Sequence, residues 1–207
     1  LVSCLVAFIC VFFVKHGEET PSSPLHVGNS SAENAENDSL SAEKAEITVC
    51  GLGFYVLWIN GENITKGALA PYMSNPDQVM YYDRYNVTDK LNKGENVIGL
   101  MLGNGMQNAD THVWDFDKNA FRSAPKVALS FEADGKTMFE ADDGFTCHPS
   151  PVTYDDLRAG ERYDARLEIP GWLLPGFDDK DWLKPVSVPS NKGEKRICTA
   201  SPVLKQK

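Results

Sequence analysis

From Ala45 onward the chain is a series of short β-forming runs, each stopped by residues that favour a turn. The clearest stop is Asn60-Gly61, which follows the run Phe54 to Ile59 (FYVLWI). Both central positions of a tight hairpin turn need positive φ, which Asn and Gly tolerate best, so this dipeptide predicts a hairpin. Asp134-Gly135 repeats the chemistry between Lys126–Ala133 and Lys136–Glu140. Ile47–Cys50, Val79–Tyr85, Asn96–Leu102 and Phe145–His148 read as further strands, with Arg162–Leu167 and Pro185–Val188 as late ones. No stretch sustains a 3.6-residue period. Val87–Leu91 reads as a single helical turn capped by Thr88. Short strands at turn-punctuated spacing describe an all-β chain folded as a sandwich or jelly roll.

The ends differ in texture. Residues 1–16 open with LVSCLVAFICVFFV. A spanning helix takes about 20 apolar residues, so this shorter run reads as a signal-peptide core or a truncated anchor, with a misread gene start as the alternative. It implies an exported or membrane-anchored protein, and otherwise a cytoplasmic one. Residues 17–43 hold almost no large apolar side chain and read as a disordered linker. Residues 44–190 form the β-domain, and 191–207 begin a connection to a further domain.

Lys and Arg number 20 against 29 Asp and Glu, a net charge of −9. That balance argues against a nucleic-acid partner, which needs clustered cations. The five cysteines form no C-x-x-C pair, so neither a zinc site nor a disulfide framework is signalled, and they read as small packed hydrophobes. Glycoside hydrolysis needs two carboxylates flanking a sugar bond. The doublets Asp142-Asp143, Asp155-Asp156 and Asp178-Asp179 place neighbours on opposite faces and read as turns. Gly103-Asn104-Gly105 lacks the third glycine of a dinucleotide fingerprint and reads as a strand-to-loop turn. Asp115-Phe116-Asp117-Lys118-Asn119 offers oxygen donors at alternate positions, so Asp115 and Asp117 are the candidate ligands for calcium. Ala120 and Lys126 stand where an EF-hand needs Gly and Glu, so the loop is no EF-hand. Trp58 reads as core, and Trp172 and Trp182 as closing the sandwich. Trp114, in the long polar stretch Gly103–Pro125, either grips a polyol beside those carboxylates or pins the loop to the sandwich.

The series ITVCGLGFYVLWINGENI, LAPYMSNPDQVMYYDRYNVTDKLNKGENVIGLMLGNGMQN, GERYDARLEIPGW and PGFDDKDW resembles the N-terminal β-sandwich domain of bacterial α-L-rhamnosidases, over about residues 45–188. The resemblance implies a galactose-binding-like jelly-roll β-sandwich. In family members it precedes further β-domains and an (α/α)6 barrel that holds the catalytic acids, so no catalytic residue is carried over to this sequence. It also implies a carbohydrate-binding role toward rhamnose-containing glycans, or a bracing role beside the enzyme's downstream domains, or a hydrolase truncated here. Some related domains bind rhamnose with calcium, and Asn75, Asp77, Asn104 and Asn108 lie in the loops most similar to the family's. One departure stands out. The Arg-x-Phe-type strand expected before the first glycine motif is replaced by linker, which predicts a missing first strand and an unpaired sheet edge.

Overall fold

A computed structural model describes residues 8–14, 42–109, 119–141 and 144–200. Its strands are β1 (Phe8–Val14), β2 (Ala45–Leu52), β3 (Phe54–Ile59), β4 (Glu62–Asn63), β5 (Val79–Asn86), β6 (Asn96–Gly103), β7 (Lys126–Ala133), β8 (Lys136–Glu140), β9 (Thr146–Pro149), β10 (Val152–Asp156), β11 (Gly160–Tyr163) and β12 (Glu194–Ile197). Among the described residues they form two five-stranded sheets, ordered β4-β3-β6-β1-β9 and β12-β5-β2-β7-β8, and the separate hairpin β10-β11.

Strand alternation builds the core. Ile47 and Val49 of β2, Leu57 and Ile59 of β3, Leu100 of β6 and Phe131 of β7 are all buried and share one cluster, so the two sheets face each other. Burying each such side chain contributes about 1.5–3 kcal/mol. The β3–β4 hairpin turns through Asn60 and Gly61, with φ of 50° and 86°. Asn60 also donates from Nδ2 to the carbonyl of Lys90 and to Asn96 Oδ1, and accepts the N–H of Val97. The β7–β8 turn has the same form, with Asp134 at φ 49° and Gly135 at φ 76°.

Several expectations change. A strand precedes the linker: Phe8–Val14 pairs antiparallel with β6 along its length and with β9 on its other side. It therefore lies inside the sheet, and the same residues that read as a leader or anchor form β1. Arg162–Leu167 is not one strand, because β11 ends at Tyr163 and a 3-10 turn, Ala165–Leu167, follows. Pro185–Val188 is not a strand. The last strand among the described residues is β12, parallel to β5 and beyond residue 190. Thr88 does not cap the turn Thr88–Lys90. Its hydroxyl accepts the N–H of Ala45 and so holds the start of β2.

Trp58 is not in the core between the sheets. Tyr55, Leu57 and Ile59 point inward, so Trp58 faces the outside of the first sheet, edge-on to Trp172 at 5.4 Å. The segment after β11 is a strap over that outer face. Ile169, Trp172 and Trp182 pack there on Val97 of β6, as does the neighbouring Met101. Thr146 Oγ1 donates to Asp179 at 2.6 Å and anchors the strap to β9. Gly99 makes the close approach feasible, since a Cβ there would stand 2.3 Å from Leu173 Cδ2 and 2.8 Å from Trp172 Cζ3.

Candidate functional site

The chain between β4 and β5 folds back over one end of the sheets. Tyr55 donates its N–H to the carbonyl of Ala70, and Leu57 donates to Thr65 Oγ1, both at 2.8 Å. Beneath this loop lies a buried polar node. Tyr55 Oη donates to Asp83 Oδ2 at 2.6 Å, and the Tyr55 and Tyr85 hydroxyls are 2.8 Å apart. Tyr55 has one proton and gives it to the carboxylate, so Tyr85 is the donor between the two rings. Lys66 Nζ reaches Asp83 Oδ1 at 3.2 Å and stands 5.3 Å from the centre of the Tyr85 ring. Burial, then the Tyr85 and Asp83 neighbours, drives the Tyr55 phenol far above the ordinary tyrosine range. Burial also pushes Tyr85 up to about 12. The node therefore stays protonated at its hydroxyls and fixes the loop.

Above it the loop borders a shallow cleft whose floor is the β2–β3 turn and whose far wall carries Met106 and Gln107. Gly53 in the floor has φ 106°, and a Cβ on it would lie 2.4 Å from the carbonyl of Gly103. The near wall presents Tyr72, 53% exposed, and Met73. Tyr72 is held edge-on against Tyr81, with ring centres 5.9 Å apart. Neither tyrosine follows a pattern that marks it in the sequence, because its exposure depends on how the loop closes.

The residues singled out in the sequence fall on both sides of this cleft. Ser74 and Pro76 line it from the loop that holds Asn75 and Asp77, and Met106 and Gln107 line it from the turn between Asn104 and Asn108. Their side chains are engaged internally. Asn75 Oδ1 accepts the N–H of Asp77, and Asp77 Oδ1 accepts from Asn191 Nδ2 at 2.8 Å. Asn104 is buried. It donates its N–H to Asp155 Oδ2 and its Nδ2 to the Asp155 carbonyl, while its Oδ1 accepts from Asn108 Nδ2. Burial raises the Asp155 carboxyl, and the Asn104 N–H acts against that shift. Gln107, also buried, ties this turn to the returning chain by donating to the Phe121 carbonyl and Ser123 Oγ. Trp114, Asp115 and Asp117 lie outside the described residues. Among the described residues no three His, Cys, Asp or Glu side chains gather as a metal-holding group.

Two of the three acidic doublets are tied into the fold, and Asp142 and Asp143 lie outside the described residues. Asp156 Oδ1 accepts the N–H groups of Arg158 and Ala159 in the β10–β11 turn. Asp178 pairs with Lys180 at 2.7 Å on the surface, and Asp179 holds Thr146.

Two facing antiparallel-rich sheets, a small surface cleft at one end and a strap on the outer face define an all-β sandwich domain. Residues 41–207 match the family described as the α-L-rhamnosidase N-terminal domain, and the chain belongs to that family. An α-L-rhamnosidase of Formosa agariphila is 31% identical over 157 residues, which is 72% of this chain and 16% of that protein. One from Streptomyces avermitilis is 30% identical over 142 residues, 68% of this chain and 14% of the relative. The solved structure of the α-L-rhamnosidase from Dictyoglumus thermophilum superposes with a TM-score of 0.72 at 26% identity. It covers 92% of this chain and 18% of the larger one. The chain thus spans about a sixth of the curated relatives it matches.

Proposed function

We propose that this chain is the non-catalytic N-terminal domain of an α-L-rhamnosidase-type glycoside hydrolase, and that it holds rhamnose-containing glycans at the Tyr72 cleft. The observation that carries this reading is the exposed Tyr72 ring, braced by Tyr81 and flanked by Met73. Rhamnose is a 6-deoxy sugar, so it offers a methyl group and C–H surface that an aromatic ring can cover, while polar groups at the rim orient its hydroxyls. Calcium belongs to this reading with Asp115 and Asp117 as its ligands, hard oxygen donors of the kind that ion takes. The two carboxylates of hydrolysis come from elsewhere in the enzyme.

A second reading, bracing of the downstream domains without a sugar site, is favoured by the strap. Its outer side leaves Leu174, Leu183 and Val186 more than half exposed, which is the surface a neighbouring domain would cover. Calorimetric titration of the full 207-residue chain with L-rhamnose, in calcium and then in chelator, separates the two. Saturable heat that Tyr72→Ala weakens about tenfold, with an unchanged Tm, is the expected result. Absence of heat from folded protein in both conditions removes the sugar site and leaves the bracing role.

A further inference from the structure

Residues 191–200 grip the loop that builds the Tyr72 cleft. Asn191 donates from Nδ2 to Asp77 Oδ1 at 2.8 Å. Gly193 donates its N–H to the carbonyl of Pro76, a cleft-lining residue, at 3.1 Å, and Glu194 donates to the Gln78 carbonyl at 2.8 Å. From there β12 runs parallel to β5, and Cys198 closes the pairing with its N–H on the Tyr82 carbonyl at 2.7 Å. Cys198 and Ala200 then line a recess together with Leu69, Pro71 and Tyr72. Pro71 and Tyr72 line the cleft as well, so cleft and recess share the segment that presents the exposed ring.

Strand β12 is itself lightly held. All four of its residues are exposed, so it buries no apolar side chain of its own. Its docking rests on backbone bonds and on the close approach at Gly193, where a Cβ would stand 2.8 Å from the backbone of Gln78 and Val79. An element with few buried apolar contacts opens at low cost in free energy, and the segments it holds open with it.

We propose that β12 is a detachable clamp on the cleft: docked, it holds residues 69–78 in the shape that presents Tyr72, and undocked, it releases them. The regulatory role rests on the reading of the Tyr72 cleft as a sugar site. Residues 191–207 read from the sequence as the connection to a further domain, so a domain that pulls on this connection would lower the affinity of the cleft.

The test is amide hydrogen exchange on the full 207-residue chain. Gly193→Val combined with Glu194→Pro forces β12 off β5, because the one adds a clashing side chain and the other removes a donor. The amides that report are Cys198 for docking, Val79 on the Asn75 carbonyl for the near shoulder of the loop, and Tyr55 on the Ala70 carbonyl for the far one. All three should lose protection at least about tenfold. Ala141, bound to the Leu129 carbonyl at the opposite edge of the same sheet, should keep its protection. The Kd for L-rhamnose should rise about tenfold. The proposal is overturned if Tyr55 keeps its protection, whether or not Cys198 loses its own, or if Ala141 falls by the same factor. Should the double variant not fold, Asn191→Ala removes only the bond to Asp77, and a rise in exchange of about threefold at Val79 and Tyr55 is expected. Unchanged exchange at both then overturns the clamp. Exchange involves no sugar, so unmodified protein that gives no heat with L-rhamnose strikes the sugar site alone, and the clamp is still decided by the amides.

Discussion

The two sheets solve the same burial problem in different ways. In the β12-β5-β2-β7-β8 sheet, β2 alternates strictly between buried and half-buried residues, which is the pattern of a sheet with one face on the core. In the other sheet, β6 is buried almost throughout: Asn96 to Leu100 are all buried in sequence. Its inward side chains Ile98, Leu100 and Leu102 meet the opposite sheet, and its outward Val97 and Met101 lie under the strap. Each sheet holds one tight hairpin, β7–β8 in the β12-β5-β2-β7-β8 sheet and β3–β4 in the other, and its remaining pairings join strands distant in sequence. What sets the β4-β3-β6-β1-β9 sheet apart is that it takes in β1 between β6 and β9 and that the strap covers its outer face. Stability in that sheet is accordingly shared among segments far apart in the chain.

That contrast can be tested by substitution. Leu100→Ala should have the largest effect, about 2–5 kcal/mol of lost stability, because Leu100 is fully buried between the sheets. Chemical denaturation measures it, and a loss below about 1 kcal/mol would show that the strapped sheet is not rigidly packed. Gly99→Ala should cost about 1–3 kcal/mol by forcing Leu173 and Trp172 off the sheet. Arg84→Ala, an outward and exposed position on β5, should stay within about 0.5 kcal/mol. Equal losses at Gly99 and Arg84 would erase the difference between the two outer faces.

The smallest effect concerns pH. The Asp155 carboxyl is raised in the folded protein, mainly by burial. Between its ordinary value of 3.8 and the raised one, the folded state binds more protons than the unfolded state. Stability therefore falls as pH rises through that window. Asp155→Asn should flatten this part of the stability curve, while retaining an acceptor for the Asn104 N–H. An unchanged slope in the variant would assign the pH dependence to another group.

Much of the fold was legible because its cause is local. The runs at Phe54–Ile59, Lys126–Ala133 and Lys136–Glu140 are the strands observed, since turn chemistry and alternation act within a few residues. Strand β12, with four exposed residues, has no apolar pattern to betray it. It exists because β5 offers an edge. Strand β1 was hidden for the opposite reason: a wholly apolar run suits a leader, an anchor or a strand by residue type, and its pairing partners β6 and β9 lie far away in the sequence. The candidate site divides in the same way. Asn75, Asp77, Asn104 and Asn108 mark the loops that border the cleft, yet their polar atoms are spent holding those loops. The exposed Tyr72 carries no sequence signal.

The sequence by itself determined the all-β class, the two tight hairpins and the family resemblance, because each depends on residue types at short fixed spacings. Only the tertiary structure decided which face Trp58 occupies, where Phe8–Val14 goes and which aromatic ring stands open at the cleft. Those outcomes depend on contacts between segments distant in the chain, where packing space and unpaired backbone groups choose among conformations that local preference leaves equal.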